Sequence, residues 1–241
     1  MRRSIRIGFV TAVIATMAMV GSASAATITG SIGGAPTGVT LLNLDSLTLG
    51  GGTQNSGIVT FTFTPDAKVV NGSLQNVYAA PYLSGGNGTG FGSPSGNQAD
   101  GVDTTNYITT GSTGAYANSK VVMDFSTPEK YFGLLWGSVD TYNTLTFYNT
   151  TLATPLLFSV TGAQVLTSPN GDQGVNGTVY VNISNDVAFN QVIATSSNYA
   201  FEFDNLAFNP EIPTVPEPGS MLLLGTGLFG LAGAVRRRMK K

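Results

Sequence analysis

Of the side chains that do chemistry in proteins, this 241-residue chain offers carboxylates and little else. It contains no histidine and no cysteine. A Ser-His-Asp relay is therefore ruled out, as are a cysteine nucleophile and a zinc site built on imidazole or thiolate. Disulfides go with them, so the fold must hold by packing alone or with a bound ion. Two kinds of carboxylate chemistry remain. Paired acids can hydrolyse a glycosidic bond, and the eligible set is Asp124, Asp140, Glu202 and Asp204. Oxygen donors also bind Ca2+, for which Asp100 with Asp103, or Asp204 with Asn205, are the adjacent candidates. No EF-hand or nonapeptide repeat fixes such a site. Carboxylates on solvent faces are the ordinary outcome, and groups for acid-base work are few, so no enzymatic activity is expected. Ca2+ is the single cofactor candidate.

Trp136 is the one tryptophan. An exposed Trp136 beside Asp140 is a candidate sugar contact. Its place in the run Phe132-Gly133-Leu134-Leu135-Trp136 favours the core instead, where large aromatics usually go.

These residues need strands to position them. Ile58 to Phe63, Asn143 to Tyr148 and Thr178 to Ile183 alternate apolar with polar, the period of a half-buried strand. Tyr199 to Asp204 puts three aromatics on one face and Glu202 and Asp204 on the other. Val121–Phe125, Tyr131–Trp136, Leu156–Val160 and Val187–Ala194 are further strand candidates. Asn71-Gly72, Asn170-Gly171-Asp172 and Asn176-Gly177 mark turns between them. No segment here has a helical period. The expectation is an all-β, jelly-roll-like β-sandwich spanning residues 26–213. Ser84 to Gly101 is almost wholly small and polar, and reads as a flexible loop or a functional excursion from the rim.

Charge separates this body from the ends. Between Ala26 and Glu217 stand thirteen acidic residues against Lys68, Lys120 and Lys130, a net charge of −10. Such a body is repelled by phosphate backbones, which argues against a nucleic-acid partner. All six arginines lie at the termini. Arg2, Arg3 and Arg6 precede the uncharged run Ile7 to Val20, followed by Ala23-Ser24-Ala25. This is the pattern of a secretory signal peptide over residues 1–25, with cleavage at Ala23 and Ala25, and it implies signal peptidase and the general secretion machinery as partners.

The opposite end places Val215-Pro216-Glu217-Pro218 before an uncharged span that reaches Val235. Arg236, Arg237, Arg238, Lys240 and Lys241 follow as a basic stop-transfer cluster. Eighteen uncharged residues from Pro218 to Val235 lie at the short end of what crosses a bilayer, and the basic cluster holds the cytoplasmic side. Residues 214–241 resemble the PEP-CTERM sorting signal. The resemblance implies recognition and removal of the tail by exosortase, transient residence in the inner membrane, and a Gram-negative host that makes extracellular polysaccharide. Tyr131 to Asn143, centred on Trp136-Gly137-Ser138-Val139-Asp140, resembles a block found in one group of exosortase-dependent surface proteins. Phe203 to Phe208 resembles the final strand of many PEP-CTERM ectodomains. Together these imply an exported surface or matrix protein with a structural or adhesive role in biofilm. A lectin-like carbohydrate-binding module, exported by the same route, is the alternative.

Overall fold

The computed structural model describes residues 27–31, 34–91, 100–112, 119–198 and 200–213. The signal segment at 1–25, the sorting tail at 214–241 and residues 92–99 of the glycine-rich stretch lie outside the described residues. Thirteen strands are present among those described. They are β1 (Thr27–Ser31), β2 (Thr40–Leu42), β3 (Thr53–Asn55), β4 (Val59–Phe63), β5 (Lys68–Asn71), β6 (Tyr82–Leu83), β7 (Gly101–Val102), β8 (Asn106–Thr110), β9 (Lys120–Gly137), β10 (Asn143–Tyr148), β11 (Leu156–Thr161), β12 (Val179–Ser196) and β13 (Phe201–Asn209). Among the described residues, helix is confined to a 3-10 turn at Gly85–Gly90 and to α1 (Gly162–Val165). Among the described residues no helix is long and apolar enough to cross a membrane. The described body is all-β, as its alternation implies.

Eleven strands join one antiparallel sheet, whose main path runs β11-β10-β12-β9-β13-β8-β5. Its axis is the pairing of β9 with β12, each 18 residues long. Alternation in the sequence reads each of these as two strands, Val121–Phe125 with Tyr131–Trp136 and Thr178–Ile183 with Val187–Ala194, and Pro128, which lacks the N–H a ladder needs, lies in the first gap. The chain instead carries Pro128 through, on an exposed bend made by Ser126, Thr127 and Pro128. The partner strand is irregular at the same level, between Ser184 and Gln191. A bend is where a strand tolerates proline.

The bend divides the sheet into two halves. Before it, β9 pairs with β4, and the end of β12 pairs with β10. Beyond it, β9 pairs with β13, and the start of β12 pairs with β1. Core-facing residues change parity across the bend. Val121, Met123 and Phe125 give way to Phe132, Leu134 and Trp136 in β9, and Val181 and Ile183 give way to Val192 and Ala194 in β12. The halves share one core. Phe125 meets Phe132, Phe189 and Phe208 edge-on at 6.0, 5.8 and 5.3 Å between ring centres. Phe147 of β10 reaches across to Phe132 at 5.7 Å. Edge-to-face pairs of this kind add about 0.5–1.5 kcal/mol each beyond their buried area.

The other face of the β9-β13 half is covered too. Leu83, Tyr131, Leu135, Tyr180 and Ala207 form a second cluster there, with Ala35, Val39 and Phe91 against it. The small β6-β7 ribbon and the 3-10 turn belong to this cover. Part of the glycine-rich stretch, expected to be loose or to stand away at the rim, thus lies on the sheet. Gly133 is where two tyrosines cross the strand. A methyl group there would sit 2.5 Å from the Tyr131 hydroxyl and 2.9 Å from Tyr180 Cε1.

Two substitutions test this layering by urea denaturation. Phe147→Ala is expected to cost about 3–5 kcal/mol, since the ring is fully buried between the halves. Gly133→Ala is expected to cost about 1–3 kcal/mol by overpacking the second face. Losses no larger than that of Thr146→Ala, which points away from the core, would sink the two-faced arrangement.

Candidate functional site

The segment Trp136 to Asn143 ends β9 and builds a corner. Trp136 is fully buried and stacks on Phe201, ring centres 4.3 Å apart. It is a core residue, which removes it as a sugar platform. Ser138 then adopts a left-handed backbone at φ 36°, which breaks the strand. The next residue, Val139, returns to the core. Asn143 braces the corner from inside. Its Oδ1 accepts the Asp140 N–H at 3.1 Å, and its Nδ2 donates to the Ala200 carbonyl at 3.0 Å and Ser196 Oγ at 3.2 Å. The block that resembles exosortase-dependent surface proteins is thus a corner that fixes where Ser138 and Asp140 stand.

Both open onto a cavity of about 230 Å³. Asp140 and Glu202 bring carboxylates to it, and Asn76, Asn170 and Gln173 bring amides. Tyr78 and Tyr142 supply the aromatic walls. Glu202 lies on the face of β13 away from the main core, where alternation put it. It is not solvated: only 2 % of it is exposed. Ala79 donates its N–H to Oε1 at 2.9 Å, and the Ser138 hydroxyl donates to Oε2 at 2.5 Å. Burial outweighs these two donors and pushes the Glu202 carboxyl from 4.5 up to about 7. Asp140 accepts the Tyr142 hydroxyl at 2.6 Å, and burial raises its carboxyl as well. Gly171, at φ 68°, closes against it; a methyl there would lie 2.8 Å from Oδ2.

The remaining candidates fall elsewhere. Asp124 is on the β4 side of the bend, where it accepts Gln191 Nε2 at 2.8 Å. Asp204 shares Glu202's face of β13 but turns toward Asp103, and is 1 % exposed. Burial and Asp103 raise its carboxyl well above the usual range. Asn205 takes φ 52° where β13 changes register, and its carbonyl accepts the Tyr180 hydroxyl at 3.0 Å. Asp100 is exposed, whereas Asp103 is 2 % exposed. The structure therefore groups Asp140 with Glu202, and Asp103 with Asp204. Among the described residues no three His, Cys, Asp or Glu side chains converge as a metal cluster.

Comparison with known families adds the decisive observation outside the β-rich body. Residues 214–238 match the PEP-CTERM protein-sorting motif. The chain carries a PEP-CTERM sorting signal. That signal marks an exported protein of the cell envelope or surface, processed by exosortase. No curated protein matches the chain at a significant level. In this chain the run Val215 to Pro218 and Arg236 to Arg238 fall within the matched residues. The roles of Ser138, Tyr142 and Asn143 were not legible in the sequence, although all three lie within the distinctive block. The tight turn at Ser138 leaves no mark in a strand-like alternation.

Glu202 supplies a pH test. Between pH 4.5 and about 7 the unfolded chain has lost this proton and the folded chain still holds it. Stability therefore falls as pH rises through that window, by roughly 3 kcal/mol at most for this group, and levels off above it. Asp140 and Asp204 push in the same direction. Glu202→Gln, which keeps the shape, still accepts the Ala79 N–H and turns its amide to donate to Ser138 Oγ, is expected to flatten the fall in Tm across this window. An unchanged slope would show that Glu202 is ionised in the fold.

Proposed function

We propose that this PEP-CTERM protein is a non-enzymatic component of the outer surface or extracellular matrix of a Gram-negative bacterium, with a structural or adhesive role in extracellular polysaccharide. The sorting signal carries the reading. Signal peptidase and the secretion machinery act on residues 1–25, the tail at 214–241 holds the chain in the inner membrane until exosortase removes it, and the body between them is released to the outside. That body supports the role by its chemistry. It is acidic, free of histidine and cysteine, and rich in Gly, Ser, Thr and Asn. Its folded-over sheet, with both faces of one half packed, suits a jelly-roll-like sandwich built to persist outside the cell without disulfides. Intact-mass measurement on protein from the native host tests the route. With exosortase present, the mature chain is expected to begin at Ala26 and end near Pro216-Glu217-Pro218. Retention of Arg236 to Lys241 whether or not exosortase is present would replace sorting with a permanent anchor.

The cavity favours a second reading, a glycan-binding module exported by the same route. Carboxylate, amide and phenol groups around one recess, with two tyrosine rings as walls, form the donor set that hydroxyl-rich ligands need. Binding on a glycan array should fall at least tenfold in Tyr142→Ala and in Asp140→Asn, about the 1.4 kcal/mol of one good polar contact. Binding that survives both changes would place the sugar elsewhere, and a blank array would leave the structural role alone.

A further inference from the structure

Asp103 and Asp204 lie 101 positions apart in the chain and meet beneath the surface, 2 % and 1 % exposed. One oxygen of Asp103 is fully engaged: Oδ1 accepts the Thr105 N–H at 2.8 Å and the Thr105 hydroxyl at 2.7 Å. Its Oδ2 is buried with no donor, and so is Asp204 Oδ1. The two side chains are close enough to interact directly, and the carboxylate of exposed Asp45 adds its charge to Asp204. No lysine or arginine offsets them among the described residues, where the one ion pair is Lys130 with Glu211 at the surface. Two neighbouring buried carboxyls, each with an unpartnered oxygen, are expensive when both are ionised, because neither oxygen is solvated and the charges repel. A shared proton or a bound cation relieves that cost, and the two unpartnered oxygens leave room for the cation.

We propose that Asp103 and Asp204 bind a Ca2+ ion, with Asp45 at its entrance. The unpaired Oδ2 of Asp103 and Oδ1 of Asp204 are the anchoring ligands. Every donor in the neighbourhood is oxygen, which suits a hard cation and disfavours zinc or copper. Loop carbonyls and water complete an irregular shell, and Ca2+ tolerates irregularity better than the smaller Mg2+. The mechanical logic follows from where the two ligands sit. Asp204 belongs to β13 in the sheet. Asp103 follows β7 in the cover, where its N–H donates to the Pro81 carbonyl at 2.9 Å. An ion shared by both ties the cover down onto the sheet, close to the cavity that holds Glu202.

The test uses the exported protein purified from its host, stripped with EDTA and returned to CaCl2 or MgCl2. Saturating Ca2+ is expected to raise Tm by roughly 5–10 °C. Calorimetric titration should give one Ca2+ per chain, at about tenfold lower concentration than Mg2+ requires. Asp103→Asn and Asp204→Asn should each abolish the shift, Asp45→Asn should weaken it, and Asp140→Asn should leave it intact. Should the buried variants fail to fold, Tb3+ luminescence on the unaltered protein, sensitised by Tyr107 and Tyr180 and displaced by Ca2+, gives the same answer. No Ca2+-dependent shift and no Tb3+ signal would overturn the proposal. So would a shift that survives Asp103→Asn and Asp204→Asn. A stripped protein that ignores Ca2+ but gains stability on acidification, with the gain lost in Asp204→Asn, would also overturn it, because the pair would then share a proton.

Discussion

Everything in the described fold hangs on the ladder between β9 and β12. The two strands run side by side through both halves of the sheet; β1, β4, β10 and β13 pair directly with one of them, and β2 and β8 pair with β13. Because the pair is continuous, bending it turns one sheet into two packed layers without a crossing loop. The bend itself is cheap. Pro128 sits where a ladder hydrogen bond is missing anyway, and the aromatic cluster of Phe125, Phe132, Phe147 and Phe189 fills the angle. With no cysteine available, this cluster does the work that disulfides do in many exported domains.

The second consequence of the bend is chemical. Once the inner faces are used, the β9-β13 half has an outer face still to cover, and the segment around β6 and β7 covers it. Residues that alternation sends outward on β13 then find themselves under protein, not water. Glu202 has a donor on each oxygen, whereas Asp204 has the Asn205 N–H and an Oδ1 with no donor. Burying unmatched carboxylates is a poor way to gain stability, so their presence points to a use. The cavity at Asp140 and the acid pair at Asp103 both border this covered face, which is where the protein departs from simple packing.

Legibility in the sequence followed the range of the physics. Period-2 alternation is local, and it located β4, β10, the start of β12 and the Phe201 to Asp204 part of β13 within a residue or two. It also placed Glu202 and Asp204 opposite Phe201 and Phe203. Short strands such as β2, β3 and β5 carry too few residues for a period and left no signal. The continuity of β9 through Pro128 depends on β12 bending at the same level, and that is a long-range fact. So is the meeting of Asp103 with Asp204. The sequence marked each as a Ca2+ candidate beside its own neighbour, Asp100 or Asn205, and had no means of pairing them with each other. Trp136 lay on the side its apolar neighbours favoured. The sorting tail was readable because it is a linear signal, recognised by order and not by fold.

β13 also has a position whose meaning is mechanical. Its nine residues are flanked by β9 on one side and by β8 and β2 on the other, so it is an interior strand. It is also the last strand before the chain runs on toward residue 214. Tension applied from that end is delivered to hydrogen bonds on both flanks at once, and cannot peel away an unpaired edge. A chain tethered by its carboxyl side would meet drag and shear through its best-supported strand, and would give way only when the whole sheet did.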